Sequence, residues 1–348
     1  MKNINIKKMF IAFAAVMLLA SCGGKNNETT SNDKNVASNE PSSDVEYELN
    51  LGDVLSEEHP HSKSFHYFAD KVNEYTDGKV KVNVFVNSTL GNQSDLTEGL
   101  SLGTVQIAKT MSTVLSTYNP EIQIYDIPYL FKNEDHFFEV VDGEIGDKLA
   151  QEALAKNDLV GLGYFYAGKR SIYSNKDINS IDDLKGMKLR VPEAPIYQDM
   201  CKSWGASGVT MSVGELYTAL QTGVVDGAEN APIFYENQKH YEAAPYFIKT
   251  EHIITPDIVI MSKSYLESMP EEYQEAIKKA AKEMVEYERN LWKETENEAI
   301  TKLEENGVHF KDIDKTPFIK ASKEVREQYK SIVGEEKLNK IDEIGKKY

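Results

Sequence analysis

The sequence predicts an α/β fold arranged as two lobes, and three observations lead to this prediction. Residues 47–86 read as strand, helix and strand, because apolar positions recur first at every second residue and then at helical spacing. A helix, stop and strand pattern over 96–108 returns 120 residues later, at 216–228. A third pattern, an apolar helical repeat, extends from Pro270 to Asn306. Two lobes built on one plan, joined by a long helix, account for all three.

The first lobe begins with a βαβ unit. Alternating residues predict strands over 47–51 and 79–86, and helical spacing predicts a helix over 62–75 between them. A second helix over 97–102 ends at a glycine, and a strand over 105–108 follows.

The repeat supports a second lobe of the same design. Its matching positions keep the same residue, and they are Leu96, Leu100, Gly103, Val105 and Ala108 in the first copy and Leu216, Leu220, Gly223, Val225 and Ala228 in the second. We place the two crossings between lobes near 166–167 and 255–256. The first lobe then comprises 45–166 and 256–297, and the second comprises 167–255 and 298–348.

The C-terminal repeat predicts one long helix. Ser268 and Glu271 are suited to cap its start, and Gly307 ends it. Unbroken, this helix is on the order of 55 Å long, which exceeds one lobe and predicts contact with both. The alternative is two helices with a break between Trp292 and Glu296.

The N-terminus has the features of an export signal. Lysines precede an apolar stretch, Met9–Ala20, which is too short for a membrane span of about 20 residues. The small residues before Cys22 resemble a lipoprotein cleavage box, which implies removal of residues 1–21 and acylation of Cys22. Residues 22–44 are almost entirely polar, so we expect a disordered tether there. The alternative is an uncleaved apolar tail.

The composition is that of a soluble globular protein, with 41% hydrophobic and 27% charged residues in a chain of 348. The formal net charge is −17, and loss of three lysines and no acids with the signal makes it −20. This charge argues against nucleic acid and against an anionic bilayer surface as partners. Cys201 would be the one remaining cysteine, so we expect a buried hydrophobe and no disulfide framework.

A candidate binding element lies between Leu184 and Asn230. A short strand, LKGMKLRVP, places Arg190 near its carboxyl end, the edge where open α/β sheets hold ligands. Ser212 and Glu215 then form a capping box, which begins a helix that Gly223 ends.

The stretch from Gly168 to Asp257 resembles the solute-binding proteins of tripartite ATP-independent periplasmic (TRAP) transporters, of the dicarboxylate-binding, DctP-like type. The matching runs are GKRSIYSNK, LKGMKLRVP and GELYTALQTGVVDGAEN. Weaker matches in EEHPHSK, STLGNQSDLTEGLSLGTVQIA and YDIPYLF extend the resemblance over nearly all of the mature chain. It implies a two-lobed periplasmic-binding-protein-like fold, with a cleft between the lobes and a long C-terminal helix that contacts both.

The resemblance also implies which residues hold a ligand. Arg190 matches the arginine that pairs with the ligand carboxylate, and a planar guanidinium suits that acceptor. The other expected contacts match cleft residues of the family, and they are Arg170, Asn230, His252, Tyr235, Tyr217, Gln93 and His59. The alternatives are a structural ion pair for each arginine, a structural role for the histidines, and core positions for the tyrosines.

The ligand class follows from two local features. Val213 departs from the sialic-acid branch, which has an aromatic residue there. The run from Gly227 to Asp257 resembles the branch that binds uronic acids, so we expect a hexuronate such as glucuronate or galacturonate. A C4-dicarboxylate or another carboxylate is the alternative.

The resemblance further implies how the protein works. We expect an exported monomer that is anchored through lipidated Cys22, on the periplasmic or cell-surface side. It would deliver a small organic acid to membrane-embedded TRAP permease subunits, without nucleic acid, cofactor, metal or catalysis.

Two functions of other classes remain as alternatives. Glu57, Glu58, His59, His61 and His66 lie close together and allow a metal-binding lipoprotein, although their spacing fits no common metal motif. A secreted enzyme is the second, although the sequence contains no G-x-S-x-G, no H-E-x-x-H and no P-loop.

Overall fold

A computed structural model describes residues 45–348. The predicted signal peptide, the polar tether and Cys22 lie outside these residues. A nine-stranded mixed sheet runs through the described part of the chain. Within residues 45–348, no helix has the length and apolar character needed to cross a membrane.

The strands follow one another in the sheet in the order β2-β1-β3-β8-β4-β7-β5-β6, and β9 pairs with β8. Their bounds are β1 Tyr47–Gly52, β2 Val80–Phe85, β3 Ile107–Met111, β4 Leu159–Ser174, β5 Lys188–Val191, β6 Ser207–Thr210, β7 Gly227–Asn230, β8 Tyr246–Ser262 and β9 His309–Lys311.

Twelve α-helices accompany the strands in residues 45–348. Their bounds are α1 Pro60–Tyr75, α2 Gln93–Leu102, α3 Ser112–Leu115, α4 Glu134–Val141, α5 Glu144–Asp147, α6 Pro195–Ser203, α7 Val213–Gln221, α8 Pro232–Asn237, α9 Lys263–Glu267, α10 Glu271–Glu305, α11 Thr316–Val333 and α12 Glu335–Gly345.

Two modules of the same topology form the ends of the sheet, which confirms the predicted repeat. In the first module, β1 pairs in parallel with β2 and β3. In the second module, β5 pairs in parallel with β6 and β7. Each repeat copy supplies the last helix and strand of its module, α2 and β3 or α7 and β7. The long strands β8 and β4 are antiparallel to β3 and β7 and join the modules at the centre of a two-lobed fold.

Capping explains where the helices of the first module begin. Helix α1 begins at Pro60, two residues before the prediction, because His59 caps it and proline suits the first helical position. Helix α2 begins at Gln93 rather than at residue 97, because Asn92 and Asp95 form a capping box that the prediction missed. The predicted capping box of Ser212 and Glu215 is present at the start of α7.

The long C-terminal helix is continuous, so the alternative of a break is wrong. Helix α10 has 35 residues and is therefore about 52 Å long. It packs against α1 beside the first module and against α8 beside the second. Its middle is fully buried at Glu288 and Trp292, which have relative exposures of 0% and 2%.

The central strands are irregular where the chain was predicted to cross between lobes. Tyr166 lies opposite Pro256, and the register of β4 against β8 shifts between Tyr166 and Lys169. Gly168 has a φ of +77°, and a Cβ there would lie 2.5 Å from the Cβ of Ala231, so this turn requires glycine. The predicted lobe limits coincide with this irregularity and stay a prediction.

Cys201 lies on α6 and is fully buried. Burial raises the pKa of its thiol, as expected for a small core hydrophobe rather than a nucleophile.

Candidate functional site

A cleft lies where the carboxyl ends of two pairs of parallel strands, β1 and β3 from the first module and β5 and β7 from the second, face each other. Val54 follows β1, Met111 ends β3, Pro192 follows β5 and Asn230 ends β7, and all four line the cavity. In each module this is the edge where α/β sheets hold ligands. The cavity between these strand ends is small, about 60 Å³.

Both modules and the long helix contribute to the cleft wall. The residues that line it are Val54, Leu55, His59, His61, Gln93, Lys109, Met111, Ala167, Arg170, Arg190, Pro192, Val213, Asn230, Phe234, Asp257 and Trp292. Five of the predicted ligand contacts are therefore in one place: His59, Gln93, Arg170, Arg190 and Asn230.

Arg190 is a buried cation without an acidic partner. It is 4% exposed, and its Nε and Nη2 donate to the backbone oxygen of Met211 at 3.0 and 2.7 Å. No carboxylate in residues 45–348 lies within ion-pair distance of it. Burial lowers the pKa of Arg190, although arginine stays protonated at any ordinary pH. A buried charge without a partner is costly, so this guanidinium is prepared to receive an anion.

Arg170, in contrast, is paired within the protein. Its Nε and Nη2 donate to the two carboxylate oxygens of Glu229 at 2.6 and 2.7 Å. Burial would raise the pKa of Glu229, but the charge and hydrogen bonds of Arg170 lower it to about 2. Arg170 still borders the cleft, and its Nη1 lies 3.4 Å from Oδ1 of Asn230. The structural ion pair considered for Arg170 is therefore present.

Asn230 holds a fixed orientation at the end of β7. Its Oδ1 accepts from the backbone N–H of Ala231 at 2.8 Å, in addition to its contact with Arg170. The amide nitrogen is left to donate.

His252 lies behind the arginine pair rather than on the cleft wall. It is fully buried, and its Nε2 lies 3.3 Å from Glu229 while its Nδ1 lies 2.9 Å from the Thr250 hydroxyl. Burial lowers the pKa of His252, so the ring is neutral. Because the ionised carboxylate of Glu229 can only accept, Nε2–H of His252 donates to it, and Nδ1 accepts from the Thr250 hydroxyl. The structure thus gives His252 a role in orienting Glu229.

His59 and Gln93 bring hydrogen-bond donors from the first module. His59 Nδ1 accepts from the N–H of His61, and burial holds its pKa well below the usual value, so the neutral ring carries its proton on Nε2. Gln93 Oε1 accepts from the N–H of Met111 at 3.1 Å, which leaves its amide nitrogen to donate.

The predicted tyrosine contacts lie elsewhere in the structure. Tyr235 is fully buried, donates to the backbone oxygen of Ala244 at 2.6 Å and packs on Tyr173 with ring centroids 4.6 Å apart. It supports the second module from within. Tyr217 is half-buried on the outer side of α7, where its hydroxyl donates to Glu242. The helical spacing of these tyrosines therefore reflects packing, which the sequence analysis kept as the alternative.

A buried charge cluster, which the sequence analysis missed, forms the opposite wall. Lys109 is 1% exposed, and its Nζ lies 2.8 Å from Asp257 Oδ2 and 3.2 Å from Asp53 Oδ1. His61 adds contacts at 3.4 Å to Asp257 and 3.3 Å to Glu288 of α10. Although burial alone would lower it, hydrogen bonds with Asp257 and Glu288 raise the pKa of His61 to about 9. We call these five residues the first-module charge cluster.

The sequence contains a signal for Lys109 and for Glu229, two buried charged residues that were not predicted to belong to the site. Lys109 interrupts the apolar strand Ile107–Met111, and Glu229 lies in the fully buried strand Gly227–Asn230. A charged residue in such a strand must be paired or functional, because an isolated buried charge is too costly.

The comparisons with known proteins agree with this geometry. Residues 51–332 match the family described as bacterial extracellular solute-binding protein, family 7. The chain belongs to this family. Its members are receptors of TRAP transporters that bind small acid ligands and work with membrane permease subunits, and they are not enzymes.

Three solved TRAP periplasmic solute-binding proteins illustrate the likeness. The protein from Xanthobacter autotrophicus Py2, with bound β-D-galacturonate, is 35% identical and has a TM-score of 0.81, over 85% of this chain and 99% of that chain. The protein from Chromohalobacter salexigens, with bound D-glucuronate, is 31% identical and has a TM-score of 0.82, over 86% and 99%. The protein from Sulfurospirillum deleyianum, with bound succinate, is 31% identical and has a TM-score of 0.81, over 86% and 99%.

Metal binding has no support among the residues that the structure describes. Within residues 45–348, no group of three or more histidine, cysteine, aspartate or glutamate side chains is arranged to hold a metal ion. His66, considered for such a site, instead pairs with Glu57 at 2.7 Å on the surface of α1.

Proposed function

We propose that this TRAP solute-binding protein captures a hexuronate, such as glucuronate or galacturonate, for ion-coupled uptake. The observation that carries the proposal is Arg190, a cleft cation that is 4% exposed and has no carboxylate partner in residues 45–348. An anionic ligand would complete this pair, and the planar fork of arginine suits a carboxylate.

The other polar groups of the cleft suit the remainder of a sugar acid. Donors from Asn230, Gln93 and His59 can meet ligand oxygens, and the carboxylate of Asp257 can accept from ligand hydroxyls. Trp292 and Phe234 add apolar surface to the same wall. A cleft with both donors and acceptors fits a polyhydroxylated acid better than a purely charged one.

The related structures support this ligand class and also define its rival. Two of the three hold a uronate and one holds succinate, at similar identities and TM-scores. A C4-dicarboxylate receptor is therefore the second candidate. It needs a second cation for the second carboxylate, and the other cleft cations are already paired with acids.

The proposal also covers location and assembly. The protein would be exported, cleaved before Cys22 and anchored by lipid at that residue, on the periplasmic or cell-surface side. As a monomer, it would close its two lobes over the ligand and present it to the permease. The family membership supports the permease partnership, and the N-terminal sequence supports the anchor.

A thermal-shift screen tests the ligand class. At equal millimolar concentrations, glucuronate or galacturonate should raise the melting temperature, because ligand at a hundredfold excess over Kd stabilises the native state by about 2.7 kcal/mol. Succinate and malate should raise it little. A larger shift with the dicarboxylates would reject the uronate assignment and keep the receptor function, and no shift with any organic acid would reject both.

A further inference from the structure

The cations that line the cleft differ in whether the protein already neutralises them. Lys109 has two carboxylates within 3.2 Å, Asp257 and Asp53. Arg170 has Glu229 at 2.6 Å. Among the cations of the described cleft wall, Arg190 alone lacks an acid within ion-pair distance.

The wall opposite Arg190 has no surplus of positive charge. In the first-module charge cluster, two cationic side chains, Lys109 and His61, contact three carboxylic acids, Asp53, Asp257 and Glu288. Burial raises the pKa of Glu288 and hydrogen bonds keep His61 protonated at neutral pH. If Glu288 is neutral, the two positive charges of Lys109 and His61 are balanced by the two negative charges of Asp53 and Asp257. The net charge of the cluster is then zero.

Lys109, His61 and Asp257 of this cluster line the cavity, and Asp257 has the most exposed side chain of the five residues. Its side chain is 9% exposed and that of Lys109 is 1% exposed. The contacts of Asp257 with Lys109 and His61 fall on Oδ2, and within residues 45–348 no protein hydrogen bond falls on Oδ1. An ionised carboxylate only accepts hydrogen bonds, so Oδ1 can receive a ligand hydroxyl and cannot bond a second carboxylate.

We propose that the cleft accepts one carboxylate per ligand, at Arg190, and that Asp257 makes the opposite wall reject a second carboxylate. Hydroxylated monoacids then bind in preference to diacids of the same length. The inference rests on the proposed function and specifies the charge of its ligand. Specificity arises from the unfavourable contact with the wrong ligand as much as from the favourable contact with the right one.

We call this preference for one carboxylate per ligand the charge rule. Two open-chain acids test it without any contribution from ring form. D-gluconate and D-glucarate have the same hydroxylated chain, and glucarate replaces the terminal CH₂OH of gluconate with a second carboxylate. Calorimetry on the wild-type protein should give gluconate a Kd at least about tenfold below that of glucarate, because juxtaposed like charges are strongly unfavourable. Equal or tighter binding of glucarate would overturn the rule.

Two variants test the assigned residues. Asp257→Asn keeps an oxygen acceptor and removes the charge, so the ratio of the glucarate Kd to the gluconate Kd should fall about tenfold. Asp53→Asn removes a charge that contacts Lys109 but does not line the cavity, and it should change the ratio in the same direction. Asp199→Asn is the control, since Asp199 lies on α6 and accepts from Tyr329 and Gln328 outside the cleft.

The outcomes separate this inference from the proposed function. Folded Asn variants with an unchanged ratio would overturn the role of Asp257, even if glucuronate binds tightly. If Asp257→Asn does not fold, the test rests on two measurements: the ratio of the glucarate Kd to the gluconate Kd in the wild-type protein, and the same ratio in Asp53→Asn. Binding of gluconate without either uronate would reject the uronate assignment and leave the charge rule standing. Binding of no sugar acid would overturn both.

Discussion

Arg170 and Glu229 form a two-pronged ion pair, with Nε and Nη2 of the arginine 2.6 and 2.7 Å from the two carboxylate oxygens. Arg190, twenty residues further along the chain, has only the backbone oxygen of Met211 as its hydrogen-bond acceptor among the described residues. The two arginines of the cleft therefore have different roles. Arg170 is held in place by the protein, and we propose that Arg190 holds the ligand.

The first prediction follows from this difference. Arg190→Ala should weaken binding of the acid ligand by about 2–5 kcal/mol, because truncation leaves a buried ligand carboxylate unpaired. Arg190→Lys should recover only part of this loss, since an ammonium cannot make the two-pronged contact. Isothermal calorimetry measures both, with circular dichroism to establish that the fold is intact. Affinity of the alanine variant within threefold of wild type would show that the guanidinium is structural.

The second prediction concerns Glu229 and acid stability. The pKa of Glu229 in the folded protein is about 2, below its unfolded value of about 4.3. Its stabilisation is therefore present above about pH 4.3 and lost as the pH falls towards 2. Glu229→Gln should destabilise the protein at pH 7 by about 3–5 kcal/mol, because Arg170 is left as a buried unpaired charge.

Urea denaturation between pH 3 and pH 7 tests the role of Glu229. The difference in unfolding free energy between wild type and Glu229→Gln should shrink as the pH falls. Glu193, exposed beside the cleft, provides the control Glu193→Gln. A difference that stays constant over this range would contradict the prediction.

The sequence predicts what short-range periodicity determines. The two modules follow from strands and helices whose apolar positions recur within a few residues, and the capping box at Ser212 and Glu215 is likewise local. The position of Arg190 at a strand end follows from the same short-range pattern and from Pro192.

Contacts between distant parts of the chain were not predicted. Lys109 and Asp257 are 148 residues apart in sequence, and Arg170 and Glu229 are 59 apart. Their pairing depends on which strands become neighbours in the sheet, and no local pattern specifies this. Tyr235 shows the same limit, since helical spacing does not distinguish a residue that packs on Tyr173 from one that lines a cavity.

The third prediction concerns His61 and alkaline stability. Its folded pKa of about 9 lies above the unfolded value of about 6.5. The stabilisation is fully present below about pH 6.5 and is lost as the pH rises through 9. The free energy of unfolding of the wild-type protein should therefore fall between about pH 6.5 and pH 9, and that of His61→Gln should not show this fall. His66→Gln, on the exposed side of α1, is the control, and equal pH profiles for wild type and His61→Gln would contradict the assignment.

The fourth prediction concerns Asp126, a fully buried acid. Its Oδ1 accepts from Ser112 at 2.7 Å and lies 3.3 Å from the hydroxyls of Tyr197 and Thr255. Burial raises its pKa to about 7, above the unfolded value of about 3.9. The associated stability is present below about pH 3.9 and is lost as the pH rises through 7.

Asp126→Asn resembles the protonated acid, so it should melt at a higher temperature than wild type at pH 8. The difference in melting temperature between Asp126→Asn and wild type should grow between pH 4 and pH 7 and level off above pH 7. Asp199→Asn serves again as a control on α6. A variant that is less stable than wild type at pH 8 would show that the Asp126 charge is needed.

The fifth prediction concerns Cys22, which lies in the N-terminal part outside the described residues. The motif from Leu19 to Cys22 predicts cleavage and acylation, and the polar residues that follow it offer little apolar surface for membrane contact. A single acyl chain gives only marginal attachment, and stable anchoring requires more than one, so the lipids on Cys22 should determine localisation.

In cells, wild type should sediment with membranes and take up a fatty-acid probe, whereas Cys22→Ser should do neither. Cys201→Ser is the matched control, because that thiol is buried in α6 and should not affect anchoring. Equal membrane association of wild type and Cys22→Ser would mean that the attachment, if any, comes from the apolar stretch itself.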